Sequence, residues 1–395
     1  FALSIPIWLY LKPTQKFGIF LCHHKAGAGS LCRLIKILMS RHSKAKVFLD
    51  CDQLENLDFL FDVVRSSTKS IVVVLTPELL KRVWCAGEIA TAYKNSITTV
   101  PLLCNGFRPM GESLQVLASF WGPEQMQMLA NHGISLVDVQ NAYLWMQQEL
   151  SPLRLPRFGR VWRREAVVVD LLQRCELPSS STSAQIIAEG KHYNPNGARI
   201  LITSCITDAE ALSTCEAFQC MLQAQLHVEC AVAQSSRQME RWRPRAYYLV
   251  VLLFRGVFQD QRLGRILSCA FDESCERNLE VVTVIADTHF DFVGLNMSVS
   301  QQDSWSQVKQ EEKEENTQIT QAVYKRLLNV IALPFSPLAS DGLQRKQVAE
   351  ISSRFHRYKD LTTATIRDAE DDQVGNLTSS QALSENESCM SPGVE

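Results

Sequence analysis

The stretch IVVVLTPELLKRVWCAGEIATAYKNSITTVPLL, Ile71 to Leu103, decides the fold. Ile71 to Leu75 is a continuous, largely β-branched run, expected for a strand buried on both faces of a parallel sheet. A helix is predicted across Glu78 to Tyr93, and Thr99 to Leu103 supplies the next strand. Toward the N-terminus the same alternation continues. Phe17 to Cys22 is a short apolar strand, followed by a polar, glycine-containing loop from His23 to Ser30. Leu31, Leu34, Ile35 and Leu38 then form a helical stripe. Lys46 to Asp50 reads as a strand, and Phe59, Leu60, Val63 and Val64 mark a second helix. Strand and helix alternating at this spacing imply right-handed crossovers and an open, doubly wound parallel α/β sheet. Ligands of such sheets bind beyond the carboxyl ends of the strands, here the loops after Cys22, Asp50 and Leu75.

Pro152 and Pro156 interrupt the pattern. Arg154, Arg157, Arg160, Arg163 and Arg164 then precede a helix through Val167 to Leu172. These arginines form either a phosphate-binding face or a solvated connector, and the connector is the reading taken. Ser179 to Ser183 reads as a linker. The second half repeats the first in outline: strand Arg199–Thr203, helix Ala209–Leu222, buried strand Tyr248–Leu253 and strand Val281–Ile285. Sliding Ile71–Tyr93 onto Tyr248–Ala270 needs no gap. It superposes Val73, Val74, Leu75, Gly87 and Ile89 on Val250, Val251, Leu252, Gly264 and Ile266. A duplicated fold is the reading taken over an unrelated flavodoxin-like domain. Ser304 to Leu333 is predicted helical, with Ser304 and Gln307 as a capping box, and Thr362 to Glu395 is too poor in apolar residues to fold. The expected organisation is thus an N-terminal segment 1–15, an α/β domain 16–150, and a helical connector with Ser-rich linker 151–195. A second α/β domain 196–295, a helical extension 296–361 and a disordered tail 362–395 follow.

Composition narrows the function. The 395 residues suffice for two domains, and 46% hydrophobic with 21% charged residues is ordinary for globular protein. A formal net charge of −2 argues against a nucleic-acid partner, which would call for a basic excess. Thirteen cysteines, mostly in apolar runs and without CxxC spacing, read as reduced thiols in the cytoplasm rather than a disulfide framework. The chain opens at Phe1, as a fragment would. Ala2 to Leu11 is too short to cross a bilayer and is broken by Pro6, so no membrane span is expected. The sequons at Asn296, Asn376 and Asn386 are read as chance.

Three motifs resemble the TIR (Toll/interleukin receptor) domain family. FGIFLCHH (Phe17 to His24) is similar to the opening strand of TIR domains, with Cys22 where serine is usual. VFLDCDQLENLDFLF (Val47 to Phe61) looks like the second strand and the BB loop. WCAGEI (Trp84 to Ile89) resembles the W-C-x-x-E signature of plant-type and NAD-cleaving members, and it is the most specific of the three. Phe120-Trp121 is similar to the Phe-Trp box of animal members. The resemblance covers about Lys16 to Leu150, and Ala198–Phe292 only weakly. It implies a flavodoxin-like TIR fold and an intracellular signalling role of the kind used in innate immunity. It also implies NAD⁺ cleavage, with NAD⁺ as substrate and no cofactor. Glu88 would be the catalytic residue, and Cys22, His23, His24, Gly27, Gly29, Asp50 and Trp84 the substrate-binding set. Partners would be other TIR domains, self or foreign, with self-association through the loop Leu54, Glu55, Asn56 and Leu57. That loop lacks the Pro-Gly of animal adaptors and receptors. The alternative function is a non-catalytic TIR scaffold acting by homotypic association.

The chemistry of Glu88 can be argued from the residues. Trp84 and Glu88 are four positions apart, so they share a helix face and set a carboxylate beside an aromatic wall. Releasing nicotinamide builds positive charge at the ribose C1′, which a fixed carboxylate in a water-poor cleft stabilises. Glu88 is accordingly expected in one cleft with the loops after Cys22 and Asp50, its carboxylate reachable from solvent. Gly27 and Gly29 could let backbone N–H groups meet a phosphate, or merely let the loop turn. His23 and His24 are adjacent and make no metal site, so no metal is expected. Cys22 and His23 are strand neighbours facing opposite ways, so they are no nucleophile–base pair. In the second repeat Arg265 stands at the position of Glu88 and Gln261 at that of Trp84. That domain is expected to be inactive and to serve binding or regulation.

Overall fold

Thr68–Leu75 is buried along nearly its whole length, because alternate residues enter two different cores. Ile71, Val73 and Leu75 pack with Phe20, Val64, Ile89 and Tyr143 on one face of the sheet. Val72 and Val74 pack with Ile19, Leu21, Leu31, Leu38 and Leu172 on the other. The computed structural model describes residues 15–53, 59–109, 114–192, 195–272, 278–290, 324, 326–327 and 330–356. The expected N-terminal apolar segment, the loop Leu54 to Asp58, the three sequons, most of the 296–361 extension and the tail from Thr362 lie outside the described residues. The chain divides into a body ending at Val348 and a piece from Ala349, the latter described only to His356.

The first sheet is built from β1 (Phe17–Cys22), β2 (Val47–Phe48), β3 (Thr68–Leu75), β4 (Thr98–Cys104) and β5 (Leu153–Leu155). All strands are parallel, in the order β2-β1-β3-β4-β5. The second sheet takes β6 (Ile200–Thr203), β7 (Cys230–Val232), β8 (Tyr248–Leu253), β9 (Glu280–Ile285) and β10 (Leu333–Pro334) in the order β10-β9-β8-β6-β7. Numbered within each sheet, both run 2-1-3-4-5 and both are wholly parallel. The fold is a duplicated, doubly wound, flavodoxin-like α/β architecture.

The helices that matter here are α1 (Lys25–His42), α2 (Val83–Lys94), α3 (Leu136–Gln148), α4 (Val161–Arg174), α5 (Ala209–Leu226) and α6 (Gln261–Ala270). Several boundaries differ from the sequence reading. The helix expected from Glu78 starts at Val83, and the strand expected over Lys46–Asp50 is Val47–Phe48 with a helical turn at Asp50–Gln53. Three further differences bear on the organisation. Leu153–Leu155 pairs with β4, so the first α/β unit runs on through β5 and α4 instead of ending near Leu150. Between its two prolines this segment shows only three apolar-flanked residues, too few to read as a strand. Likewise Leu333–Pro334 pairs with β9, so the second unit recruits its fifth strand from what was expected to be a helical extension. The third correction concerns His23 to Ser30: α1 already begins at Lys25, with Ala28 as a non-helical kink, so Gly27 and Gly29 lie in its first turns.

The arginine-rich segment is a solvated connector only in part: Arg154, Arg160 and Arg163 are exposed, but the other two arginines are not. Arg164 is 1% exposed and Arg157 7%. Arg164 ion-pairs with the fully buried Glu216 of α5, and Arg157 with Glu210 at 2.7 Å. Helices α1 and α5 pack together, and Ala217 and Cys220 of α5 join Leu31, Leu34, Ile35 and Leu38 in the first unit's core. Burying a side chain such as Leu contributes on the order of 1.5–3 kcal/mol, so this shared core ties the two sheets firmly.

Candidate functional site

Two hydrogen bonds set the entry to α2. The Trp121 indole N–H donates to the Lys81 carbonyl (2.8 Å), and the buried Tyr143 hydroxyl donates to that of Leu80 (2.8 Å). They pin the short 3₁₀ turn Leu79–Lys81, after which Arg82 is extended and α2 starts at Val83. Gly87 brings the helix tight against Phe61, since a Cβ there would come within 2.3 Å of that ring. With the helix held at this depth, Cys85 and Glu88 turn inward onto the carboxyl end of β1.

The result is a buried cluster. Ligand atoms of Cys22, Cys85 and Glu88 all lie within 4.8 Å of one another. Glu88 is 6% exposed, and its Oε2 has no hydrogen-bond partner. No ion pair to Glu88 occurs among the described residues. Burial pushes its carboxyl up to about 8; a hydrogen bond from the Cys22 thiol opposes the shift and the Asp50 carboxylate adds to it. Burial likewise raises the Cys22 thiol well above its ordinary range, helped by Cys85 and Glu88. The Cys85 thiol donates to the His23 carbonyl at 3.4 Å.

The other predicted residues divide. His23 lies beside the cluster through that carbonyl. Its ring turns away: Nδ1 donates to the Leu21 carbonyl (3.0 Å) and Nε2 stands 3.9 Å from Asp50. Burial lowers the His23 pKa against the pull of Asp50. The His24 Nε2 accepts from Arg82 at 2.7 Å, a pair that lines the same strand ends; burial, then Arg82, lowers its pKa. Trp84 is half-buried and packs against Phe61 with ring centroids 5.5 Å apart and ring planes tilted by 34°. Gly27 and Gly29 do not form a phosphate cradle. The N–H groups of Gly27 and Ala28 donate to the His24 carbonyl, and that of Ser30 to Glu210 at 2.8 Å. Gly29 instead gives room to Leu338, which a Cβ would meet at 2.4 Å. Leu54, Glu55, Asn56 and Leu57 are outside the described residues.

The expected solvent access of Glu88 is corrected: the carboxylate faces inward and is sealed. A cavity of about 390 Å³ opens elsewhere, lined by Arg33, Lys36, Asp52, Asp341 and Arg345. Its Asp52 is paired to Arg33 (2.6 Å) and Lys36 (2.7 Å); burial would raise it, but these hydrogen bonds hold it below the usual carboxylate range. Cys85 was missed by the sequence reading because only the docking of α2 onto β1 brings it to Cys22. The described cysteines are all unpaired. No helix among the described residues is long and apolar enough to cross a membrane.

The second sheet offers a contrast at the same place. Cys22 pairs with Val73, and Ile202 pairs with Val250, so Ile202 occupies the equivalent end of β6. Arg262 and Arg265 stand where the first unit has Cys85 and Glu88, and both are exposed.

No protein-family model matches the chain, and neither does any curated protein. Among solved structures, a C-terminal domain of glucosamine-fructose-6-phosphate aminotransferase from Francisella tularensis is 9% identical. That match covers 86% of this chain and 85% of that one, at a TM-score of 0.22.

Proposed function

We propose that the first unit is a TIR-type NAD⁺ glycohydrolase that uses Glu88, in a cytoplasmic signalling protein that associates with other TIR domains or with itself. One observation supports this above the others: Glu88 is a buried carboxyl at the switch point of an open α/β sheet with no cation beside it among the described residues. Ligands of such sheets bind where neighbouring strands diverge, here outside β1 and β3. A carboxylate in that position, in low dielectric, is costly alone and strongly stabilised by a positive partner. The oxocarbenium-like ribose formed as nicotinamide departs is such a partner. Its charge would draw the Glu88 carboxyl back into the ionised range. On this reading the Arg82–His24 pair would meet the pyrophosphate. Catalysis here requires the packing over Glu88 to open and admit the dinucleotide. The sealing of Glu88 favours a second reading, a TIR scaffold in which Glu88 and Trp84 are structural.

Incubating the purified full chain with NAD⁺ and following nicotinamide separates the two. Release by the wild type that falls by a factor on the order of 10² or more in Glu88→Gln is expected for a lost charge-stabilising group. The Gln side chain keeps shape and hydrogen bonding, so undiminished release by that variant removes Glu88 from the chemistry. No release by the wild type leaves the scaffold.

A further inference from the structure

We infer that Cys22, Cys85 and Glu88 form a binding site for one soft divalent cation of the zinc class. The inference goes beyond the glycohydrolase proposal and does not depend on it, although both use Glu88. The three side chains are the one group among the described residues whose His, Cys, Asp or Glu ligand atoms converge within 4.8 Å. Two thiols and a carboxylate suit zinc, since thiolate selects against magnesium and calcium. Zinc bonds of roughly 2.0–2.3 Å to oxygen and sulfur put tetrahedral ligand atoms about 3.3–3.8 Å apart, so the present cluster needs only a modest contraction.

The scaffold suits a site as well. Cys22 closes β1, and Cys85 and Glu88 are three apart on the inner face of α2. Both elements are held by packing rather than by loops, the arrangement that fixes ligand geometry best. A separate observation points to a ligand. Glu88 Oε2 is buried and has no donor, whereas buried polar atoms are nearly always partnered. A cation between the carboxylate and the two sulfurs would satisfy it. Loading releases the protons of both thiols and of the Glu88 carboxyl to solvent, and Cys85 gives up its hydrogen bond to the His23 carbonyl. Three protein ligands leave the fourth position for a water or a substrate oxygen. Loading would also occupy the carboxylate that the ribosyl cation needs, so metal and NAD⁺ turnover exclude each other.

The test uses the reduced, chelator-stripped full chain equilibrated with cobalt(II) as the probe, followed by zinc(II). One cobalt per chain should bind with thiolate-to-metal charge-transfer absorption and a tetrahedral visible spectrum, both erased by zinc. Cys22→Ser and Cys85→Ser should each weaken binding by more than about 100-fold, the upper end of what loss of a merely supporting residue costs. Cys205→Ser, at a half-exposed thiol of the second unit, should leave binding unchanged. Should the cysteine variants fail to fold, the zinc-induced rise in Tm of the wild type and its loss in Glu88→Gln give the same answer. Absence of the charge-transfer band, or its survival in both cysteine variants, overturns the site. Nicotinamide release from the metal-free chain is measured separately. Turnover without a cobalt band removes the metal site alone, and a band without turnover removes the glycohydrolase alone.

Discussion

The two sheets share strand order and direction, yet they bury their polar groups in different places. In the first unit the helix after the third strand turns Cys85 and Glu88 inward, onto the carboxyl end of β1. In the second unit the helix at that position presents Arg262 and Arg265 to solvent. On α5 it turns polar groups toward the first unit: the half-buried Glu210 reaches Arg157 and the Ser30 N–H, the buried Glu216 reaches Arg164, and the Thr214 hydroxyl bonds that of Ser30 (2.8 Å). At the ligand-binding end the first copy thus holds an unpartnered carboxyl oxygen beside two thiols. In the second, Asp260 is a satisfied helix cap bonded to Thr207 (2.9 Å), and that copy uses further polar groups on α5 to grip its neighbour. Duplication preserved the scaffold while the chemistry at each switch point diverged.

The largest expected effect tests that grip. Arg164 donates to the carbonyls of Pro156, Arg157 and Gly159 besides pairing with Glu216, so it fixes the β5–α4 turn as well as the junction. Arg164→Met should destabilise the full chain by about 3–5 kcal/mol in denaturant unfolding, because it leaves a buried carboxylate unpaired. Burial, against the pull of Arg164, pushes the Glu216 carboxyl up to about 7. Protonation then relieves part of the cost, which should be larger at pH 8 than at pH 6. Arg164→Met with Glu216→Met should recover most of the loss. A single-variant cost below about 1 kcal/mol, the worth of a surface pair, would mean that the junction is incidental.

What the sequence revealed follows from how local each signal is. Ile71 to Leu75 and Tyr248 to Leu253 are legible because a strand buried on both faces must be apolar throughout, and their gapless superposition anticipated the common strand order. Leu153–Leu155 and Leu333–Pro334 were not legible, since edge strands of two or three residues carry too little pattern. Glu88 was legible as a candidate from its motif, but its burial was not. Helical spacing fixes which residues share a face, not how deeply that face is pressed, and here Gly87, Trp121 and Tyr143 set the depth. Cys85 and the Arg157–Glu210 and Arg164–Glu216 pairs were invisible for the same reason: their partners are brought together only by packing.

A smaller effect sharpens the contrast between the two switch points. Below pH 4.5 Glu88 is protonated whether the chain is folded or not; between 4.5 and about 8 the folded chain holds a proton that the unfolded chain has released. The folded state therefore binds more protons in that window, and stability falls as pH rises through it, by at most about 1.4 kcal/mol per pH unit from this one group. Above about 8 the contribution is flat again. Glu210 and Glu216, raised to about 7 by burial against their arginines, add to the slope at the lower end. The difference between wild type and Glu88→Gln isolates Glu88. Unfolding midpoints measured from pH 5 to 9 should fall faster in the wild type, with the excess ending near pH 8. Parallel profiles for the two proteins would show that Glu88 is ionised and solvated in the folded chain, and would erase the difference between it and an exposed residue.

The smallest effect is expected where the second unit is made to imitate the first. If burial beside Cys22 and Cys85 gives Glu88 its character, a carboxylate at the corresponding place of α6 should acquire none of it. At position 265 it would stand in water, with Ile202 and Arg262 where the first unit has thiols. Water screens its charge, and nothing fixes it before a cation forms, so it lacks the preorganisation on which electrostatic catalysis depends. Arg265→Glu placed in the Glu88→Gln background should therefore release nicotinamide no faster than Glu88→Gln alone. Its stability should change by no more than about 0.5 kcal/mol, as for surface substitutions generally. Arg265 makes little to lose, its one described contact being a 3.4 Å hydrogen bond from Nε to the Gln261 carbonyl within its own helix. Nicotinamide release restored by Arg265→Glu would show that position on the scaffold suffices without burial, and that the two units differ in one residue rather than in how their helices are seated.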